Sequence, residues 1–352
     1  MATIKDVARA CDVCPATVSN VLNNRRAVHP LTRDRVIKAA QELNYHPSAI
    51  GRGLVHRRMN TVGVVFMHSD ANFHLNAYLV AMLEGVLAVA AANKQNTTLC
   101  TSYTWATDGD LVPTICDGRT DGVILMTPPL NDHIGTALLK LNVPFVVVGS
   151  TMDDPGASTV DVDNTDAARR LVSYLIDMGH RRVALVHFRS ELSFSFAQER
   201  IAGYRQALKE HDIPSTEEEI VSYTSFDEKP AVGYTSLQQE LQELMDRPRD
   251  ERPTALCCIH DRAAIAVIEA LEGMGYSVPG DVSVTGFDDI VNVKGFDLTT
   301  VRQPFRRIGE RAVEILLDQI DAVTAKQPLP VPCREILPAE LVLRSTTAPP
   351  AG

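Results

Sequence analysis

From Thr61 onward the chain alternates short apolar runs with stretches of helical periodicity, and this alternation restricts the fold more than any other feature. The runs are VGVVF, TTLCTS, GVILM, FVVVG, STVDV, VALVHF, EIVSYT, TALCCI and VSVTGF. Strands that are apolar on both faces and separated by helices form parallel sheets covered on both sides. So many strands are too many for one domain of this kind. The pattern therefore divides near Val160-Asp161-Val162 into two similar α/β halves, the first ending in VDVDN and the second opening on the helical ARRLVSYLIDMGHRR. A chain of 352 residues is long enough for two or three domains with a large buried core.

The first sixty residues follow a different pattern. They hold ten Lys or Arg (Lys5, Arg9, Arg25, Arg26, Arg33, Arg35, Lys38, Arg52, Arg57, Arg58) against four acids (Asp6, Asp12, Asp34, Glu42), a balance of +6. With −10 for the whole chain, the remainder carries −16. A basic head on an acidic body concentrates attraction for phosphate at one end. Apolar residues in the head recur at helical spacing in three short segments: Ile4, Val7, Ala8; Val18, Val21, Leu22; and Val36, Ala40, Leu43. Thr3 and Thr32 suit N-caps, and Pro15 suits the first position of the second helix. The link from Ala10 to Cys14 is short enough to set the first two helices at a steep angle, so that the second protrudes.

The segment TIKDVARACDVCPATVSNVLNNRRAVHPLTRDRVIKAAQELNYHPSAIGRGL resembles the head of the lac and purine repressor family. Phrases of that family continue through DGVILM, VPFVVVGS, VDVDN, MGHRRVALV, ERIAGYRQAL, VPGDVSVTGFDD and LTTVRQP, so the resemblance spans nearly the whole chain. It implies an all-α helix-turn-helix head at 1–46 and a hinge helix with linker at 47–60. A two-subdomain α/β body of periplasmic-binding-protein type, with parallel sheets, follows at 61–346, and a tail at 347–352. Within the body it implies a first subdomain of about 61–161 plus 290–322 and a second of about 162–289 plus 323–346.

The resemblance further implies a regulator that binds double-stranded operator DNA as a homodimer under control of a small-molecule effector, a sugar or related metabolite. Helix 15–23 would enter the major groove, with Ala16 and Asn20 at base-reading positions and Arg26 reaching base or backbone. Thr3, Thr17, Ser19, Asn23 and Arg25 would contact phosphate. Leu54 matches the family's minor-groove wedge, an apolar side chain that unstacks a base step to bend the duplex. Gly51 and Gly53 stand where relatives carry better helix formers, each lowering helix propensity by ~1 kcal/mol.

In the body, Arg200 matches the family arginine that bonds the effector and Asp288 the acid facing it, a fork of donors opposite paired acceptors. A salt bridge tying the halves together is the structural alternative. Ser69, Asp70, Phe73 and Phe194 are further cleft candidates. His260 stands where many relatives have Asn, leaving it open between a ligand contact and a buried structural role.

Cys11-x-x-Cys14 departs from the family, which has Ser before the recognition helix. With no second pair at finger spacing, a weak Cys cap is the expectation and a metal or other cofactor is not. Seven cysteines without a secretory leader point to reduced thiols and the cytoplasm. No apolar run is long enough for a bilayer span. STTAPPAG after Arg344 has no leucine heptads, so a dimer is expected rather than a tetramer. No GxGxxG follows a strand and no GxxxxGK[ST], GxSxG or HExxH is present, which argues against an enzyme. A free-standing solute-binding protein would account for 61–346 but not for the basic head.

Overall fold

The computed structural model describes residues 2–22, 28–46, 58–66, 77–101, 111–152, 154–215, 220–223, 230–290 and 297–351. They fall into two compact units, 1–60 and 61–352.

Three helices make the head: α1 (Ile4–Ala10), α2 (Pro15–Leu22) and α3 (Pro30–Glu42). The Asp6 carboxylate accepts from both the backbone N–H (2.9 Å) and the hydroxyl (2.7 Å) of Thr3, closing the first turn of α1. Pro15 opens α2 as expected. Pro30 opens α3 in the same way, where a missing N–H goes unnoticed. Thr32 consequently lies inside the first turn and His29 holds the cap position that the sequence gives to Thr32. The three stripes meet in one small core of Val7, Ala8, Cys11, Val18, Val21, Val36, Ala39 and Ala40. Leu43, expected in that stripe, is exposed, and Ala39 takes its place.

In the body the first sheet has six parallel strands: β1 (Thr61–Phe66), β2 (Asn96–Thr101), β3 (Gly122–Met126), β4 (Phe145–Val148), β5 (Ser158–Val162) and β11 (Arg334–Leu337). Their order is β2-β1-β3-β4-β5-β11. Each face is covered, as the uninterrupted apolar runs require. Val62, Val64, Ile124 and Val146 pack under α4 (Ala77–Ala92) and α11 (Phe305–Thr324), while Val65, Leu125 and Val147 pack with Ile115 of α5 (Val112–Ile115) and with Ile134 and Leu138 of α6 (Ile134–Lys140).

The second sheet is β6 (Val183–Phe188), β7 (Ile220–Tyr223), β8 (Ala255–Cys258) and β9 (Ser283–Thr285), in the order β7-β6-β8-β9 and again parallel. It lies between α7 (Asn164–Asp177) with α8 (Ser195–Glu210) on one face and α9 (Pro230–Met245) with α10 (Asp261–Gly273) on the other. Both sheets thus reverse direction at their first strand, the doubly wound order. The chain runs between the lobes after β5, again around β10 (Thr300–Arg302), and last between β11 and β12 (Glu340–Val342), with β10 and β12 paired antiparallel.

The last crossing corrects the expected subdomain limits. β11 pairs with β5 in register Arg334↔Thr159 to Leu337↔Val162, so residues 334–337 belong to the first lobe, not the second. The expected tail is also not free. Thr346 exchanges bonds with Val284 at the edge of β9 (2.9 and 2.7 Å), and Ala348 bonds Ser283 and the buried His180. Among the described residues no helix is long and apolar enough to cross a membrane.

Helices α4 and α11 cross at a glycine on each. A Cβ on Gly85 would stand 2.0 Å from the Arg306 carbonyl oxygen, and one on Gly309 would stand 2.2 Å from that of Met82. The obstacle in both cases is backbone, which cannot swing aside. Gly85→Ala is expected to lower stability by about 1–3 kcal/mol through overpacking, while Gly273→Ala in α10, where the added methyl meets nothing within 4 Å, is neutral or stabilising. Denaturant unfolding of the two variants checks this, and equal stabilities would contradict the close crossing.

Candidate functional site

Parallel sheets of this winding bind ligands outside the carboxyl ends of their strands. In the body, the residues that follow those ends in the two lobes meet one another. Ser150, two residues beyond β4, bonds Ser195 at the start of α8 (3.0 Å). The Thr151 backbone N–H donates to the Ser195 hydroxyl (2.9 Å) and the Thr151 hydroxyl donates to Glu199 (3.0 Å). The Leu130 N–H donates to the Ser193 carbonyl (2.8 Å).

At the centre of this junction lies Arg200, on α8 and buried. Its Nε donates to Asn164 Oδ1 (3.0 Å), Nη1 to the Ile259 carbonyl (2.6 Å) and Nη2 to Asp288 Oδ1 (3.4 Å). The guanidinium lies 3.7 Å from the Phe287 ring centroid and 5.0 Å from that of Phe196. A group that stays charged when buried needs such a shell, because each unpaired donor would incur its full desolvation cost. The Asn164 amide is oriented by the same network, its oxygen to Arg200 and its nitrogen to Glu199 (3.2 Å) and Asp161 (3.4 Å). Asp288 also accepts from Gln303 (2.6 Å), and its backbone sits at φ 124°, a left-handed conformation that side chains rarely adopt.

The carboxyl groups here are out of their ordinary range. Burial pushes the Asp161 carboxyl up to about 7, against the opposing bond from the Val162 N–H. Burial, together with the nearby Asp288 charge, raises Asp261 to about 7, and burial raises Asp288 despite Arg200 beside it. Tyr78 bonds Thr127 beyond the end of β3.

His260 and Phe194 are also placed at this junction. His260 is the N-cap of α10: its Nδ1 accepts from the Ala263 N–H (2.9 Å), so the ring proton lies on Nε2 and is donated to Glu191 Oε1 (2.7 Å). Burial opposes charging this ring, but the Glu191 carboxylate outweighs it and the pKa rises. The ring thus has the structural role of a helix cap. Phe194 stacks on Phe196 at 5.8 Å, one step removed from Arg200. Ser69, Asp70 and Phe73 lie outside the described residues.

In the head, Ala16 is exposed on α2, with Thr17, Ser19 and Asn20 half-buried beside it, and Thr3 is exposed at the start of α1. Cys14 precedes α2 with its thiol against the Thr17 hydroxyl (3.2 Å); this bond lowers its pKa. Cys11 instead buries its thiol against the Arg35 carbonyl (3.4 Å). The two thiols of the C-x-x-C thus have separate partners. Asn23, Arg25, Arg26 and Leu54 lie outside the described residues.

The sequence did not single out Asp161, Asn164, Glu191, Glu199 or Gln303. VDVDN held a usable signal, since two carboxylates and an amide follow one another at the end of an apolar strand.

A carboxyl whose folded pKa is raised keeps a proton that the unfolded chain releases. The stability this gives is complete below the ordinary value of 3.8 and is lost as pH climbs through about 7. Asp261→Asn retains an oxygen for the Thr300 hydroxyl (2.6 Å in the wild type) and removes the titration. Its stability relative to wild type should therefore increase between about pH 4 and about pH 7 and stay level above. Denaturant titrations that show a constant difference across pH 5–8 would refute a protonated Asp261.

Comparison with known proteins agrees with this architecture. Residues 3–48 match the model of bacterial regulatory proteins of the lacI family, and residues 154–347 that of the periplasmic binding protein-like domain. The chain is 35% identical over 327 residues to the HTH-type transcriptional repressor PurR of Vibrio parahaemolyticus, covering 91% of this chain and 92% of that one. Among solved structures it is similar to the lac repressor dimer bound to operator and the anti-inducer ONPF (26% identity, 99% of each chain, TM-score 0.78). It is also similar to a complex of the regulator CelR with cellobiose (26% identity, 98% and 100% of the chains, TM-score 0.70). With a helix-turn-helix head followed by two doubly wound lobes and these relatives, the chain belongs to the LacI family of bacterial proteins, a family of transcription regulators rather than enzymes.

Proposed function

We propose that the chain is a cytoplasmic repressor that binds a pseudo-palindromic operator as a homodimer, with its DNA affinity set by a small molecule bound between the lobes. The observation that carries this is Arg200, buried at the strand ends with three partners drawn from three separate parts of the second lobe. A group in that position connects whatever enters the junction to α7, β8 and the crossing at Asp288. Coupling between two sites requires an element that both can bias, and the crossings between the lobes supply it.

In this proposal α2 lies in the major groove. Ala16 offers a methyl contact to thymine, Asn20 an amide fork to adenine, and Arg26 reaches base or backbone. Thr3, Thr17, Ser19, Asn23 and Arg25 fix the register on phosphate, and Leu54 wedges the minor groove at the centre of the site. The effector is a sugar or related metabolite, in line with the cellobiose held by CelR and the anti-inducer on the lac repressor. Arg200, His260, Asp288 and Phe194, with Ser69, Asp70 and Phe73, would line its site.

Operator selection from random duplexes, followed by mobility shifts with and without candidate metabolites, tests the proposal. Asn20→Ala should weaken the selected operator by about 1–3 kcal/mol and relax preference at one base position in each half-site. Arg200→Lys keeps the charge but loses the planar fork, so it should cut ligand affinity at least about tenfold while leaving ligand-free DNA binding nearly unchanged. A protein that binds no duplex above non-specific affinity, or whose DNA binding responds to ligand equally in wild type and Arg200→Lys, would exclude this mechanism.

A further inference from the structure

We infer that Glu191, held in place by His260, determines the charge of the ligand accepted at the lobe junction, selecting an uncharged or amine-bearing molecule and excluding a phosphorylated or carboxylated one. The inference rests on the proposal that the junction is the effector site.

The first support is topological. In the order β7-β6-β8-β9 the winding reverses between β6 and β8, and the crevice of a doubly wound sheet opens at that point. Glu191 lies in the 3-10 turn Arg189–Ser193 directly after β6, and His260 lies two residues past β8. Their 2.7 Å bond therefore spans the reversal of the second sheet. The first lobe touches the same turn, through the Leu130 N–H on Ser193.

The second support is the state of the cations. An arginine at a binding site ordinarily attracts anions, but Arg200 is already committed. Three of its five N–H groups are used among the described residues, both ring neighbours cover it, and Asp288 faces its charge. Arg302 and Arg344 are drawn away to Asp289, at 2.8 and 2.7 Å. His260 spends its Nδ1 on capping α10 and its Nε2 proton on Glu191, so it has no donor left for an anion. Against Arg200 and Arg262, whose charge reaches His260, the described junction sets Asp161, Glu191, Glu199, Asp261 and Asp288. Even with Asp161 and Asp261 holding their protons, the three remaining carboxylates outnumber the two cations.

The third support separates Glu191 from the other acids. Asp288 is paired with Arg200 and bonded by Gln303, Asp161 and Asp261 accept from the Val162 N–H and the Thr300 hydroxyl and hold their protons toward neutral pH, and Glu199 spans the lobes to Thr151 and Asn164. Glu191 accepts only from His260 and, at 3.3 Å, from the Phe188 N–H among the described residues. A carboxylate offers about four acceptor positions, so two are left for a ligand's O–H or N–H. The bond from His260 fixes the carboxylate's direction. A phosphate placed there would meet an acceptor where it needs a donor, as well as a like charge.

The test is calorimetric titration of the full-length protein with matched pairs: ribose and ribose 5-phosphate, cellobiose and its 6-phosphate, and inosine, guanosine and adenosine with their 5′-monophosphates. The expected result is that the binder is an uncharged member, that its phosphorylated partner is at least about a hundredfold weaker, and that Glu191→Gln narrows this ratio at least about tenfold. Glu191→Asp, which keeps the charge, should retain the discrimination, and it guards against a Gln variant that merely folds poorly. The inference is overturned if only phosphorylated members bind, if none bind, or if the ratio is the same in Glu191→Gln as in wild type. Binding that persists unchanged in Arg200→Lys would place the ligand elsewhere, so the effector-site proposal itself would fail.

Discussion

The body is organised around the burial of one guanidinium. Arg200 cannot lose its proton in a protein, so it must carry its charge into the interior and be met there by acceptors. Those acceptors come from the Asn164 side chain at the head of α7, the carbonyl that ends the β8 run, and Asp288 beyond β9. Removing one charged partner of such a pair costs about 3–5 kcal/mol, because the other is left uncompensated. Three separate segments of the second lobe are thereby held to one position, and the strained φ of Asp288 is tolerated because the arginine and Gln303 fix its side chain.

This arrangement also explains the chemistry of the surrounding acids. Once Arg200 is balanced by Asp288, further carboxylates at the strand ends have no cation to pair with. Asp161 and Asp261 respond by keeping their protons toward neutral pH, which makes them donors as well as acceptors. Glu191 responds differently. It faces a histidine whose other nitrogen is occupied by a helix cap, and the bond it accepts from that ring raises the histidine's pKa. Direct contacts through Ser150, Thr151 and Leu130 bring the first lobe against this set.

Much of this was legible in the chain, for identifiable reasons. The nine apolar runs are all strands, because a strand buried on both faces must be apolar throughout, and that leaves a mark in one dimension. β10, β11 and β12 left no such mark. They are three or four residues long, and β11 is an edge strand whose side chains alternate between exposed and half-buried, so Arg334 and Glu335 fit it as well as Ile336 and Leu337. An edge strand of that kind leaves no sequence signal for the lobe it joins. Propensity favours Thr32 as a cap, whereas Pro30 decides where the helix begins by its fixed φ. At the site, Arg200, Asp288 and His260 were found because each stands in a recognisable phrase. Asn164 and Glu199 meet across thirty-five positions and Glu191 and His260 across sixty-nine, and no periodicity encodes such encounters.

The two glycine crossings show how the same logic extends from packing to regulation. Gly85 on α4 and Gly309 on α11 bring two helices of the first lobe within backbone contact, and Gly203 on α8 does the same against the Thr165 carbonyl of α7 in the second. A pair of helices locked at this distance moves as one piece, since packed interfaces repack in steps rather than deform. In the second lobe the locked pair is the one that carries Asn164, Glu199 and Arg200. Any displacement of those side chains by a ligand is therefore transferred to α7 and α8 together, and from them to the crossing after β5 that leads back to the first lobe.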